Sequence, residues 1–443
     1  MKRRFVLLAV LLAASSAMAQ TTPAPLPNPA CPGTMMQAYI PAYGTVEGKP
    51  IDDRLPEKCR DTRLFSQQTR APYHHAASFK LTVLTDKLHP PGSAAILPNG
   101  NILVSEKLPG ALRVVAADGT LSAPFTGLED LHVSTPMLGL QSVVLDPDFA
   151  SNHTIYFAYF EYFDKTVGNT SLARAVLDEK AGALHDVTVL LKTVPFAPND
   201  QTLSAGSKTG GRIAIGADGF LYVTIGDRDN AGPRPWGVAQ HLDTHLGKIL
   251  RITKDGKPAP GNPFLNTPGA LPEIWAYGFR TPEGLAFDAS GQLWETEHGP
   301  RGGDELNLIQ KGGNYGWPII SHGIDYAGKV IGDDQVALPG MEQPVYFWSP
   351  STAPSSLLFY RGKAFPKWKD SLFVGMLRGA QLDRLTMKDG KIVDEEALLV
   401  DLKSRIRDVQ VDAAGALYVL TDSGSGDLHP DTPAASKLLK LTP

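Results

Sequence analysis

One phrase recurs four times in this chain and limits what it can fold into. Leu97-Pro98-Asn99-Gly100-Asn101-Ile102-Leu103-Val104, Gly216-Ala217-Asp218-Gly219-Phe220-Leu221-Tyr222-Val223, Asp288-Ala289-Ser290-Gly291-Gln292-Leu293-Trp294 and Asp412-Ala413-Ala414-Gly415-Ala416-Leu417-Tyr418-Val419 each run from a glycine-containing turn into a short apolar strand. Such turns are hairpin signals, because glycine takes the positive φ that a tight reversal needs. The glycines of successive copies lie 119 (219 − 100), 72 (291 − 219) and 124 (415 − 291) residues apart. A period of about 60 fits if the first and last intervals each span two units, and strand-turn phrases at such a period mark a propeller or another repeat architecture. The stretch from 77 to 443 then holds about six units, an all-β six-bladed β-propeller. A β-sandwich with coincidental turns is the competing architecture. Helix signals are sparse; His241–Leu250 has helical spacing but is short and carries Gly247. With Gly 43 and Pro 36 in 443 residues, turns are favoured over long helices.

The segment before the repeats reads differently. Met1-Lys2-Arg3-Arg4, the apolar run Phe5–Ala14 and Ala17-Met18-Ala19 have the three parts of a cleavable secretory signal, predicting a signal peptide over 1–19 and a mature terminus at Gln20. The mature protein is therefore expected to be exported, and periplasmic in a Gram-negative source. No later run reaches the ~18 apolar residues of a spanning helix, so no membrane span is expected. Residues 20–76 are proline-rich with little periodicity and read as an irregular N-terminal extension. Cys31 and Cys59 are the only cysteines, and in an oxidising compartment a disulfide between them is the natural pairing; two free thiols or a metal pair are the alternatives. The formal net charge of −4 gives no basic footprint for nucleic acid.

The chemistry-bearing residues gather at strand boundaries. Glu295, Glu297, Asp304 and Glu305 lie around Glu297-His298-Gly299-Pro300-Arg301-Gly302-Gly303-Asp304-Glu305, where a Gly-Pro and a Gly-Gly step allow carboxylates and backbone carbonyls to face one point. Ca²⁺ takes oxygens of this kind in flexible geometry, although solvated carboxylates on a glycine-rich turn would look the same. Lys208 and Arg212 flank Gly210-Gly211, a step that lets backbone approach a ligand closely or simply connects two blades. Arg280 could clamp a carboxylate or quinone oxygen, or only pair with Glu283. In extended backbone Arg405 and Arg407 share a side, which suits a polyanion or a basic strand face in water. Arg378 follows the apolar Phe373–Leu377 run. A propeller would bring these groups to one mouth, a site for an anionic cofactor plus a cation. No G-x-G-x-x-G opens a helix, and no P-loop, G-x-S-x-G or H-E-x-x-H occurs, so nothing points to a Rossmann nucleotide site, phosphoryl transfer, serine hydrolysis or zinc proteolysis.

From about residue 80 to 440 the sequence resembles the soluble pyrroloquinoline-quinone-dependent sugar dehydrogenases, the aldose sugar or glucose/sorbosone dehydrogenase family. The segments that carry the likeness are Leu145-Asp146-Pro147-Asp148-Phe149, Gly210-Gly211-Arg212, Glu273–Arg280, Glu297–Glu305, Asn314-Tyr315-Gly316-Trp317-Pro318 and Arg405-Ile406-Arg407-Asp408-Val409. The resemblance implies a six-bladed propeller with the tricarboxylate quinone across the channel mouth, held by Ca²⁺ and oxidising an aldose sugar or related alcohol, with an unidentified electron acceptor. It implies Ca²⁺ bound by the carbonyls of Gly299 and Pro300, and in some members a second Ca²⁺ at positions matching Glu305 and Tyr315. It places Arg280, Arg405 and Arg407 against the quinone, and by alignment Arg212, Thr281, His298 and Arg378 at cofactor-contacting positions, with Lys208 and Arg280 at the reaction.

This chain departs from the family at several of these positions. The family's base histidine, two residues before Gly-Gly-Arg, is Lys208; the asparagine after the cofactor arginine is Thr281; a cofactor lysine aligns with Arg378; and around Met137 the usual Gln-Gly-Gly is absent. A lysine is a poor base at its reference pKa of about 10.4. Three functions remain open: an exported quinoprotein dehydrogenase, a quinone- or sugar-binding propeller that has lost catalysis, and a Ca²⁺-dependent lactonase-type hydrolase, against which the quinone-type arginines argue. Arg405 and Arg407 are expected to serve cofactor affinity more than fold stability.

Overall fold

A computed structural model describes residues 46–49, 58, 73, 78–133, 139–164, 167–194, 197–198, 208–228, 237–326, 328–332, 334–423 and 435–443. The signal segment, Cys31, Cys59 and Met137 lie outside the described residues. The chain is built almost wholly from strands: β1 (Lys80–Leu88), then β2 (Pro91–Ile96), β3 (Ile102–Glu106) and β4 (Ala111–Val115). Next come β5 (Leu140–Leu145), β6 (Thr154–Asp164), β7 (Val167–Asp178) and β8 (Ala183–Lys192), with β9 (Ala197–Pro198) beside β7. They are followed by β10 (Gly210–Ile215), β11 (Leu221–Ile225), β12 (Lys248–Ile252) and β13 (Ile274–Tyr277), then β14 (Pro282–Phe287), β15 (Leu293–Glu297), β16 (Asp304–Ile309) and β17 (Tyr346–Trp348). The last are β18 (Leu358–Phe359), β19 (Leu372–Met376), β20 (Gln381–Lys388) and β21 (Lys391–Leu398), then β22 (Arg405–Val411), β23 (Leu417–Asp422) and β24 (Ser436–Thr442).

These strands form six antiparallel sheets, β2–β4, β5–β9, β10–β13, β14–β17, β18–β21 and β22–β24 completed by β1, arranged as six propeller blades. The ring closes because β1 pairs with β24, Lys80 opposite Thr442 and Val83 opposite Leu439, so a strand from one end of the domain finishes the blade made by the other. Closure removes the exposed edge that an open array of blades would present.

The four glycine phrases are the hairpins between the first and second strands of four blades. Gly100, Gly219, Gly291 and Gly415 have φ between +79° and +95°, and each amide closes its turn, as Gly219 N donating to Gly216 O at 2.9 Å. The two long intervals hold the two blades whose hairpins use other chemistry: the one-turn helix Phe149–Asn152 before β6 and the 3₁₀ turn Pro366–Trp368 before β19. The helical spacing of His241–Leu250 yields instead a bend into β12, with Gly247 at φ +69° where a Cβ would meet the Phe279 carbonyl at 2.6 Å. The second strands are buried on both faces, Leu221–Ile225 completely, because each blade is covered by its neighbours. Apolar clusters accordingly bridge adjacent blades, as Leu103 and Leu112 with Phe157 and Ala173, or Tyr360 and Phe373 with Val419 and Leu439.

Candidate functional site at the channel mouth

Five of the first strands share one irregularity. β2, β5, β10, β14 and β22 each shift register near their start, at Pro91/Ser93, Leu140/Ser142, Gly210/Ile213, Pro282/Gly284 and Ile406/Asp408. A bulge re-aims side chains and ends regular pairing. The residues inside these bulges are Gly92, Gln141, Gly211 with Arg212, Glu283 and Arg407. Repeated around the ring, the bulges set Gln141, Arg212, Glu283 and Arg407 at the starts of four first strands, at one end of the channel.

The ions at this mouth are paired within and across blades. Arg407 donates to Asp422 Oδ2 from Nε (3.0 Å) and Nη2 (2.7 Å), with Glu283 Oε2 at 3.8 Å, and Lys107 reaches the same Asp422 oxygen at 2.9 Å. Burial, and then Arg407, push the Lys107 ammonium down to about 8 although Asp422 opposes them. Burial would raise Asp422, but Lys107 and Arg407 outweigh it and hold its carboxyl far below the usual range. Arg405 and Arg407 both lie close enough to act on Lys107 and Asp422, with Ile406 between them buried in the blade core. Arg407 thus also partners a buried carboxylate, a structural contact beside the cofactor role expected of it.

Arg212 spans the channel: Nε donates to Glu283 O (3.1 Å), Nη1 to Asp408 Oδ1 (3.1 Å) and Nη2 to Ser355 O (2.8 Å). Asp408 Oδ2 also accepts from the Ala94 amide at 2.8 Å, so one carboxylate ties three first strands. Arg212 therefore staples blades together beneath the mouth. Arg280 does not pair with Glu283. Its Nη1 donates to the carbonyls of His298 (3.1 Å) and Gly299 (2.7 Å), its Nη2 to the Tyr326 hydroxyl (3.3 Å), and its plane lies 5.4 Å from the Trp317 ring. The Gly299 carbonyl, expected to face a cation, here faces a guanidinium. Trp317 is fixed by Nε1 donating to Asp227 Oδ2 at 2.7 Å.

The four acidic residues of the central loop separate into two roles. Asp304 is saturated: its carboxylate accepts from Ser351 Oγ, from the amides of Thr352 (2.7 Å) and Ala353 (2.6 Å), and from Gly299 N (2.9 Å). It anchors the Gly299–Pro300 turn to the next blade. Glu295, Glu297 and Glu305 instead occupy one sheet face with Asn307, because Glu297 pairs with Glu305 and Glu295 with Asn307 in the β15–β16 ladder. Asn307 Nδ2 donates to Glu295 (3.1 Å) and Glu305 (3.3 Å), while Glu295 Oε1 and Asn307 Oδ1 are enclosed without a hydrogen-bond partner. Burial, then mutual repulsion with Glu297, drives Glu295 and Glu305 well above the carboxylate range. Burial lifts Glu297 to about 8 against the Arg280 and Thr281 amides that bond it. Among the described residues no three His, Cys, Asp or Glu side chains converge enough to hold a metal by themselves, so a cation here would need backbone or water oxygens as well. The Tyr315 hydroxyl is already committed, donating to Leu308 O (2.6 Å) and accepting from Gln310 N (2.8 Å), which leaves its carbonyl as the only oxygen for a cation.

His298 Nε2 lies 2.8 Å from the Pro354 carbonyl, which can only accept, so that nitrogen carries the proton. Burial, then Arg280 and Arg407, push the imidazole down to about 3, so it is neutral and a weak proton acceptor at neutral pH. Lys208 sits half-buried with φ +55° beside Gly210 and Gly211, its carbonyl accepting from the Arg228 amide at 3.2 Å. Arg378 follows β19, its amide bonded to Thr352 O at 3.0 Å. The enclosed Thr281 hydroxyl, Arg280 Nε, Thr352 hydroxyl and both atoms of the Gln141 amide have no hydrogen-bond partner among the described residues, as expected of a wall that meets a polar ligand. The sequence reading missed Lys107, Asp422 and Gln141; the signal for the first two is a charge at the end of a second strand, Lys107 directly after β3 and Asp422 closing β23.

The sequence model of the Glucose / Sorbosone dehydrogenase family matches residues 88–430. The aldose sugar dehydrogenase YliI of Escherichia coli (strain K12) is 37% identical over 359 residues, 81% of this chain and 94% of that one. The crystal structure of the soluble aldose sugar dehydrogenase from Escherichia coli in its apo form superposes with a TM-score of 0.74 at 36% identity, covering 83% of this chain and 100% of that one. The PQQ-bound aldose sugar dehydrogenase of Streptomyces coelicolor superposes at 0.65 with 29% identity, covering 83% and 99%.

Proposed function

The chain belongs to the glucose/sorbosone dehydrogenase family, and on that premise we propose that it is an exported quinoprotein that oxidises an aldose sugar or related alcohol with Ca²⁺-bound pyrroloquinoline quinone. The observation that carries this reading is the mouth itself. Arg280, Arg405, Arg407 and Lys107 gather where five bulges open the channel, beside a Gly299–Pro300 turn held rigid by Asp304. A tricarboxylate needs such a concentration of donors, and planar guanidinium groups match carboxylates well. The quinone-bound relative from Streptomyces coelicolor supports the choice of cofactor.

In this reading Arg280, Thr281, His298, Arg378, Arg405 and Arg407 hold the quinone. The Gly299 and Pro300 carbonyls hold the cation, and Glu305 with the Tyr315 carbonyl offers a second cation position. The Gly299 carbonyl that would hold the cation is the one that accepts from Arg280 Nη1. Arg212 keeps the floor in shape. When bound, the quinone supplies the two-electron acceptor for the hydride leaving the sugar carbon. The chain's own contribution is to orient the sugar, screen it from water with Trp317 and Tyr326, and take the hydroxyl proton. Lys208 occupies the position for that proton transfer, and it acts as a base only in its neutral form. A catalytically impaired binding propeller is the alternative that Lys208 favours. Export by the cleaved N-terminal signal, and a Cys31–Cys59 disulfide in the mature protein, complete the proposal.

The test is reconstitution of metal-free protein with quinone and Ca²⁺, followed by dye reduction over a panel of aldoses. Turnover that rises with pH along one ionisation and disappears in Lys208→Met, with quinone binding intact, is expected. Quinone binding without turnover on any sugar would select the impaired propeller, and Lys208→His should then create activity.

A further inference from the structure

The described residues of 317–343, between β16 and β17, form one wall of the mouth, and they are held from behind by a residue that precedes the propeller. Lys58 is 4% exposed, and its ammonium donates to Ser321 O (2.9 Å) and Asp334 O (3.3 Å) and pairs with Asp334 Oδ1 (3.1 Å). These contacts gather both limbs of the wall segment, which are also joined by Ser321 N donating to Gln335 O at 3.0 Å. Burying an ammonium is costly unless acceptors replace its water, and here carbonyls and a carboxylate do so. Lys58 lies outside the residues 88–430 that the family shares.

From this anchor a short path of contacts leads to the site. Ser321 Oγ accepts from the Gly323 amide at 3.0 Å. Gly323 packs without a side chain on the Gly302–Gly303 step: a Cβ on Gly303 would meet the Gly323 nitrogen at 2.5 Å, and one on Gly323 would strike the Gly302 carbonyl. Ile324 and Arg301 exchange two backbone bonds of 3.0 and 3.1 Å. Two residues on, the Tyr326 hydroxyl accepts from Arg280 Nη2, the same guanidinium that holds the His298 and Gly299 carbonyls. Tyr326 is 55% exposed, so its own burial does little to hold it there; its position is set by the segment behind it.

We propose that Lys58 is a positioning residue for the site: it pins the wall segment and thereby fixes Tyr326 against Arg280. The consequence for quinone binding rests on the reading of Arg280 as a quinone contact; the consequence for the wall does not. The full mature chain is used in both arms of the test. In the first, Lys58→Met speeds hydrogen exchange of the Ile324 and Arg301 amides about tenfold or more, since local opening no longer breaks the ammonium contacts. In the second, pyrroloquinoline quinone is titrated with Ca²⁺: Lys58→Met raises Kd about tenfold, Lys58→Arg stays near wild type, and in a Tyr326→Phe background the effect of Lys58→Met shrinks to under about threefold, because coupled positions are non-additive. A stability defect alone would not show that coupling. Asp334→Asn, which keeps the carbonyl contacts, is the milder variant if Lys58→Met fails to fold, with exchange about threefold faster. Unchanged amide exchange in Lys58→Met overturns the proposal, as does an equal change of Kd in both Tyr326 backgrounds. A wild-type protein that binds no quinone overturns the functional reading instead and leaves the exchange result to decide on Lys58.

Discussion

The two ends of the blades treat acidic side chains in opposite ways. At the end away from the mouth, the hairpin aspartates bind their own turn with one oxygen and an aromatic donor of the next strand with the other. Asp218 Oδ2 accepts from the Tyr222 hydroxyl (2.9 Å), Asp288 from Trp294 Nε1 (2.9 Å), Asp412 from Tyr418 (3.3 Å) and Asp146 from Tyr156 (2.8 Å). Burial works against Asp146, but Lys254, the Asp148 amide and Tyr156 outweigh it and bring its carboxyl down to about 2. At the mouth, Glu295, Glu297 and Glu305 have each other and an amide, and burial drives all three up. The turn carboxylates thus support the fold at neutral pH, as the ion-paired Asp422 does at the mouth, whereas Glu295, Glu297 and Glu305 cost stability until a proton or a cation joins them. Strongly perturbed groups of this kind are commonly found at functional sites.

The sharpest way to break this contrast lies in the mouth's ions. Asp422→Ala leaves Lys107 and Arg407 buried without their carboxylate, and the loss should be about 3–5 kcal/mol in urea unfolding. A loss under about 1 kcal/mol would mean that these ions behave like surface pairs.

The next effect concerns pH in Ca²⁺-free protein. Glu297 has a folded value of about 8 against an ordinary 4.5, so the folded state keeps a proton that the unfolded state has shed. The Glu297 contribution should therefore decline as pH rises from about 4.5 to 8 and level off above, and Glu297→Gln should remove a decline of up to about 5 kcal/mol. Melting curves at pH 5 and pH 8 in chelator measure it; equal slopes for the two proteins would contradict the assignment.

The turn end gives the opposite sign. Asp146 is depressed from 3.8 to about 2, so its contribution is present above pH 4 and lost as pH falls through 2. Asp146→Asn should cost about 1.5 kcal/mol at pH 7, with the gap from wild type closing by pH 2. A gap that persisted at pH 2 would point to shape rather than charge.

The smallest effect is expected at the rim. Arg174 and Asp255 pair at 2.7 Å with side chains 38% and 68% exposed. Arg174→Ala should change stability by less than about 0.5 kcal/mol, and high salt should remove even that.

Much of this molecule can be read without coordinates. A turn is completed within a few residues, so Asp288 and Gly291 announce a hairpin wherever the chain goes, and four such phrases were enough to count six blades. The motif loops also pointed to one cluster, and the fold brings Arg280, Arg405 and Arg407 near His298. The tertiary structure alone decided what each charge does. Asp304 and Glu305 are neighbours in the chain, yet Asp304 points into a nest of donors and Glu305 into a face of like charges, because successive residues of a strand face opposite ways. Arg212 is consumed by Asp408, 196 residues away, and Lys58 by Ser321, 263 residues away. Arg212 and Asp408 meet because the blades close into a ring, and no local pattern encodes which first strands will then face each other across the channel or where a residue that precedes them will dock.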